Sequence, residues 1–79
     1  MPKWEMCYVR LKRDDPVKEV YVVDVVHYTP DGTNLQTAGK GLYDAMEKEF
    51  AAACARLALK GWEPHSQDES TCYFKRPIP

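Results

Sequence analysis

Two periodicities divide the chain. Residues 4–12, Trp-Glu-Met-Cys-Tyr-Val-Arg-Leu-Lys, are dense in β-branched and aromatic side chains and contain neither glycine nor proline. Such a run predicts a first strand. Arg13-Asp14-Asp15-Pro16 is a polar break that reads as a turn, and the valine-rich stretch 17–29 predicts a second strand pairing with the first as an antiparallel hairpin. Thr29-Pro30-Asp31-Gly32-Thr33 is another turn signal, and residues 34–41 read as a short extended return or a loop. From Leu42 to Lys60 the period changes to that of a helix. Leu42, Met46, Phe50, Ala53, Leu57 and Gly61 recur at spacings of three and four, with Gly61 as the left-handed stop. Asp44, Glu47, Lys48, Arg56 and Lys60 face away, and Asp44 and Lys48 form a favourable pair one turn apart. Trp62-Glu63-Pro64-His65 predicts a short strand with Pro64 at an edge or bulge, then a turn over 66–70, then a last strand over 71–76. The expected architecture is therefore α+β: an antiparallel sheet of about four strands in the order β-β-α-β-β, with one helix on one face.

Centring the first turn on Asp15 sets Lys12 opposite Lys18 and Val9 opposite Tyr21. One face of the hairpin then carries Cys7, Val9, Leu11, Tyr21, Val23, Val25 and His27. The other carries Trp4, Met6, Tyr8, Val20, Val22, Val26 and Tyr28, interrupted by Arg10 and Asp24. An antiparallel sheet with a single helix normally shows water a polar second face. Neither face here is polar, and one helix covers only one of them. The second face is expected to meet a second copy of the chain, a small ligand, or residues 30–41 folded back over it. A homodimer packed through this face is the leading expectation, with Trp4, Met6, Tyr8, Val20, Val22, Val26 and Tyr28 as its candidate interface.

Composition narrows the rest. Seventy-nine residues make one domain, spanning 1–79, with no room for a second core. Eleven basic against twelve acidic side chains, a formal charge of -1, give no electrostatic footprint for duplex nucleic acid or an anionic membrane. The first residues carry no secretory signal, no apolar run approaches the roughly 20 residues of a membrane span, and Arg76-Pro77-Ile78-Pro79 carries no lipidation signal. A cytoplasmic location is the expectation. Cys7, Cys54 and Cys72 are odd in number and lack a Cys-x-x-Cys pair, so they read as reduced thiols acting as small hydrophobes. No pattern points to a cofactor or a metal.

Asp24 among valines reads either as a carboxylate poised for catalysis or, preferably, as the partner of Arg10 on the neighbouring strand. An enzyme using a cavity on the second face would draw on Asp24 and His27, which the pattern sets on opposite faces. Both His27 and His65 read as surface side chains. Gly39-Lys40-Gly41 fails as a phosphate loop, because Gly32 stands too far away and Gly41 occupies the place of the magnesium-binding hydroxyl. It survives as a flexible basic segment before the helix that would hold an anion weakly. Tyr8, Tyr28, Tyr73 and Phe74 with Arg10, Lys75 and Arg76 would suit stacked single-stranded bases on a sheet face.

The chain also resembles a group of small uncharacterised bacterial and phage domains. The matching residues are Trp4-Glu5-Met6, then Leu57 through Gly61-Trp62-Glu63, then Phe74-Lys75-Arg76-Pro77. Cys54-Ala55 stand in place of a Leu-Asn pair, and Pro64 replaces an apolar residue. The resemblance implies the fold and carries no activity. The expected function is that of a non-enzymatic binding or structural module, with a ligand-binding or enzymatic use of the second face and weak single-strand binding as alternatives.

Overall fold

The structure, a computed structural model, describes residues 4–15 and 17–78. Pro16 of the expected first turn, the expected targeting-free segment at residues 1–3 and the final Pro79 lie outside that range. The elements run β1 (Trp4–Asp15), β2 (Val20–Thr29), β3 (Gly32–Gly41), α1 (Tyr43–Leu59), β4 (Glu63–Gln67) and β5 (Thr71–Pro77). The sheet has five strands in the spatial order β3-β2-β1-β5-β4, all antiparallel. The α+β architecture with one helix is therefore present, but the order is β-β-β-α-β-β rather than β-β-α-β-β. The extra strand is β3, the segment that reads from sequence as a return or loop.

β3 forms because the Pro30–Asp31 connection is only two residues long and Gly32 takes a φ of 136°, a conformation that side chains other than glycine rarely adopt. Its backbone satisfies the outer edge of β2 along nearly the whole length, from Thr29↔Gly32 to Tyr21↔Gly41, with a bulge at Ala38. Residues 30–41 thus widen the sheet in its own plane and do not fold over its second face.

In the first hairpin β1 runs on to Asp15 rather than Lys12, β2 begins at Val20 rather than Val17, and the turn lies later. Arg10 sits opposite Asp24 and Cys7 opposite His27, so the register is shifted by four residues from one centred on Asp15. An even shift leaves every side chain on its expected face. The division into two faces survives even though the partners change.

Helix α1 joins the two edge strands and crosses the face carrying Cys7, Val9 and Val23. Met46, Ala53 and Leu57 enter the core there, together with Trp62, Cys72 and Phe74, while Phe50 packs at the margin. Leu42 does not join them. It is the extended residue preceding the helix and is largely exposed, and its carbonyl only accepts the first helical hydrogen bond from Met46 N–H at 3.0 Å. The helix ends as its sequence requires. Gly61, at φ 87°, donates to the Ala58 carbonyl at 3.1 Å, and Trp62 N–H donates to Leu57 at 3.1 Å. That pair of bonds is a Schellman motif. It also turns Trp62 onto the core beside Leu57. Of the described ion pairs none joins Asp44 to Lys48; the helix instead holds Arg56 against Glu49 at 3.3 Å.

β4 is the other edge of the sheet. Pro64 sits on it, and the register shifts between Pro64 and Ser66, as expected of a proline confined to an edge or bulge. No helix among the described residues is long and apolar enough to cross a membrane.

Candidate binding surface on the uncovered sheet face

Alternation along the strands builds the face opposite the helix row by row. Leu35, Val26, Tyr8 and Tyr73 lie side by side across β3, β2, β1 and β5. The next row runs Thr33, Tyr28, Met6 and Lys75, and Trp4 with Pro77 lies beyond it. On the other side comes a polar row of Thr37, Asp24, Arg10 and Thr71, and then Lys40, Val22 and Lys12. Among the described residues no element lies over any of these rows.

The face is not uniformly open. Val22 and Val26 are buried within the single chain, Val26 at 3% exposure, because flanking side chains on β1 and β3 close over them. Lys40 reaches Asp14 at 2.9 Å across Val22, and Tyr8 and Leu35 flank Val26. What remains exposed is Trp4, Met6, Tyr28 and Leu35, around the half-buried Tyr8 and Tyr73. Tyr8 is the hub of the patch. Its ring lies 5.8 Å from Tyr28 and 5.6 Å from Tyr73, tilted in each case by about half a right angle. Of the residues expected at an interface, Trp4, Met6, Tyr8 and Tyr28 line one exposed patch with Val26 buried beneath it, Val22 is buried beyond the polar row of Asp24 and Arg10, and Val20 lies at the far end of β2. Leu35 also belongs to the patch, a place that a segment reading equally as an extended return or a loop does not reveal.

Part of the charge on this face is neutralised in place. Asp24 is buried and accepts from Arg10 Nη2 at 3.2 Å and from Thr37 Oγ1 at 3.3 Å. It is therefore the partner of Arg10, the arrangement preferred from sequence. Arg10 Nε is buried with no hydrogen-bond partner, so the guanidinium is held by one of its nitrogens. Lys75 Nζ stands 4.6 Å from the centre of the Trp4 ring. The set of aromatic and basic residues suggested for base stacking does not stay together. Phe74 is buried under the helix, and Arg76 lies on the helix side, where it pairs with Glu5, its Nε donating at 3.0 Å, and stacks on Trp62 at 4.3 Å.

The remaining candidates separate as well. Asp24 and His27 lie on opposite faces, as their parity requires. His27 is half-buried rather than a surface side chain, its ring edge-on to Trp62 with centroids 5.5 Å apart. His65 is exposed on β4, 6.4 Å from the Tyr73 ring. Gly39-Lys40-Gly41 is the end of a strand and not a flexible loop. Alternation sends Lys40 to the uncovered face while Gly39 presses its backbone against the helix, where an added Cβ would fall 2.9 Å from Glu49 Cγ and 3.3 Å from Met46 Cε. Glycine here permits close helix packing, while Lys40 pairs with Asp14 on the other face. The three cysteines are free. Cys7 and Cys72 are diagonal neighbours on β1 and β5, and burial pushes the thiols of Cys7 and Cys54 up to about 11 and raises that of Cys72. They are protonated, apolar fillers at neutral pH. Among the described residues no group of three or more His, Cys, Asp or Glu side chains is arranged to hold a metal ion.

Comparison of the chain with protein-family models, with curated proteins and with solved structures finds no match to any of them.

Proposed function

We propose that the chain is a binding module that works as a homodimer, the uncovered sheet faces of two copies packed against each other. The observation that carries this reading is the exposed patch of Trp4, Met6, Tyr28 and Leu35 around Tyr8 and Tyr73, on a sheet face that none of the described residues covers. Aromatic side chains and methionine are the types enriched in interface cores, where charge is depleted. Of the cations on this face, Arg10 is paired internally with Asp24 and Lys40 with Asp14, while Lys75, in the patch beside Met6, lies over the Trp4 ring. Two such faces stack at about 10 Å with strands within roughly 30° of each other, and a two-fold axis brings the same patch onto itself. Light scattering after size exclusion is expected to give twice the chain mass at micromolar concentration. Tyr8→Lys, which places a charge at the hub of the patch, is expected to give monomers, while Leu59→Lys on the exposed side of the helix leaves the dimer intact. A strict monomer for the unmodified chain overturns the proposal.

The cluster of Tyr8, Tyr28 and Tyr73, flanked by Arg10, Lys12 and Lys75, favours a second reading as a platform for single-stranded nucleic acid. Two features weaken it: the rings tilt against one another rather than lying flat, and two cations of the face already have carboxylate partners. Anisotropy of a labelled mixed oligonucleotide at low salt separates the two readings, and a flat titration ends the second.

A further inference from the structure

On the other side of the sheet, helix α1 leaves a gap over β2 and β3. Ala53, Arg56, Leu57 and Lys60 recur at the spacing of one helical stripe, and this stripe overlooks Val25, His27, Gln36 and Ala38. Ala53 on the helix and Ala38 at the bulge of β3 are both small and both line the gap, Ala53 at its buried bottom. A cleft of about 210 Å³ results. Its floor is apolar, made by Val25, Ala38, Ala53 and Leu57. Its rim is polar and of one sign: the Arg56 and Lys60 cations one helical turn apart, the Gln36 amide and the His27 ring. Glu49 takes one nitrogen of Arg56 at 3.3 Å, and Lys60 has no ion pair among the described residues.

We propose that this cleft is a binding site for a small organic anion, a carboxylate on a compact apolar body of about the size of benzoate. The apolar body lies in the gap over Val25 and Ala38, and the carboxylate meets Lys60, Arg56 and the Gln36 amide at the rim. A floor without charge beneath a rim of donors is the usual construction of a small-molecule site: apolar lining supplies the affinity, and a few convergent polar groups fix the orientation. Arg56 and Lys60 also sit near the helix C-terminus, where the dipole favours cations. That alone would account for their charge. It does not account for the gap beneath them. The gap and the charges together specify an amphipathic anion rather than a solvated basic helix end. The cleft lies across the sheet from the proposed dimer face, so the two proposals fail separately.

The test is an amide-resolved NMR titration of the full chain with benzoate at low salt, beside an identical titration with benzylamine, which keeps the ring and reverses the charge. Benzoate is expected to shift the amides of His27, Ala38, Ala53 and Leu57 saturably at concentrations up to about 10 mM, a range appropriate to so small a ligand. Benzylamine is expected to leave them unmoved. Arg56→Gln with Lys60→Gln changes only exposed side chains and is expected to weaken benzoate about tenfold or more, consistent with loss of two charge-assisted contacts. Ala38→Leu fills the cleft and is expected to abolish the response, while far-UV circular dichroism reports that each variant stays folded. No saturable shift at these amides, equal shifts with benzylamine, or unchanged benzoate affinity in the Gln double variant each overturns the proposal.

Discussion

At the scale of single residues, the most consequential group is Asp24, a carboxylate at 3% exposure in the middle of the valine-rich strand. Its two partners come from the strands on either side, Arg10 on β1 and Thr37 on β3, so it ties three strands together at one level of the sheet. The pair is unequal. The Arg10 side chain keeps about a third of its surface in water, at 32%, whereas that of Asp24 keeps 4%. Removing either member therefore has a different consequence. Arg10→Met strands a buried carboxylate and is expected to cost about 3–5 kcal/mol, the range for breaking a buried pair from one side. Asp24→Asn retains the shape and a bond to Thr37, and the freed guanidinium can turn outward to water. That exchange is expected to cost only about 1 kcal/mol. Urea denaturation of the two variants checks the order, and equal or reversed losses would show that Asp24 is less enclosed than its surroundings imply. Sequence made this pair legible, because an acid and a base at matching parity on neighbouring strands have few other ways to be buried. His27 was less legible. Its half-buried position depends on Trp62, which reaches it only through the helix end, more than thirty residues further along the chain.

At the scale of elements, the helix terminus is where sequence and structure agree most closely. Gly61 is obligatory for a backbone reason, since it sits at φ 87° and closes the Schellman bonds that aim Trp62 at the core. Gly39 is needed for a different reason: it lets β3 approach the helix, and the first atom an added Cβ would meet belongs to the flexible Glu49 side chain. Gly61→Ala is thus expected to cost about 1–2 kcal/mol through the left-handed strain, lowering the melting temperature by several degrees in a domain of this size. Gly39→Ala is expected to cost less, because Glu49 can move aside. A thermal melt in which Gly39→Ala is the more damaging would reverse that assignment. The same contrast explains what could be read in advance. Helix α1 announces itself by its 3.6 period, and β1 and β2 by their side chains, whereas β3 has only Leu35 and Ala38 as apolar members between its glycines. An edge strand of this kind is specified by the unpaired backbone of its neighbour and by a two-residue turn, neither of which leaves a hydrophobic pattern to find. For the same reason the two-faced division of the hairpin was legible and its register was not: parity fixes faces, but only the turn fixes partners.

At the scale of the whole molecule, the unresolved tension is between a thin fold and an exposed aromatic patch. The chain is two layers deep, with extents of 47 × 25 × 18 Å, and all of its helical cover lies on one side. Its core of nine buried residues is gathered between that helix and the sheet. The other side contributes only Val22, Val26 and Asp24 as buried groups, each sheltered by side chains of adjacent strands rather than by a second layer. A chain of this length buries a modest fraction of its unfolded surface, so a second copy on the open face would add stability where the single chain has least. Assembly and folding are then linked, and the linkage has a definite sign. A species that forms only from folded chains draws the equilibrium toward the folded state as concentration rises. Each tenfold increase in protein is expected to add about 1.4 kcal/mol per dimer, and the melting temperature is expected to climb by a few degrees. Tyr8→Lys is expected to melt at a temperature independent of concentration, because the variant unfolds as single chains. Calorimetric or spectroscopic melts over two decades of concentration measure both. A flat response in the unmodified chain would mean that the helix-side core suffices by itself, that the tyrosine patch is tolerated in water, and that its partner is something other than a second copy.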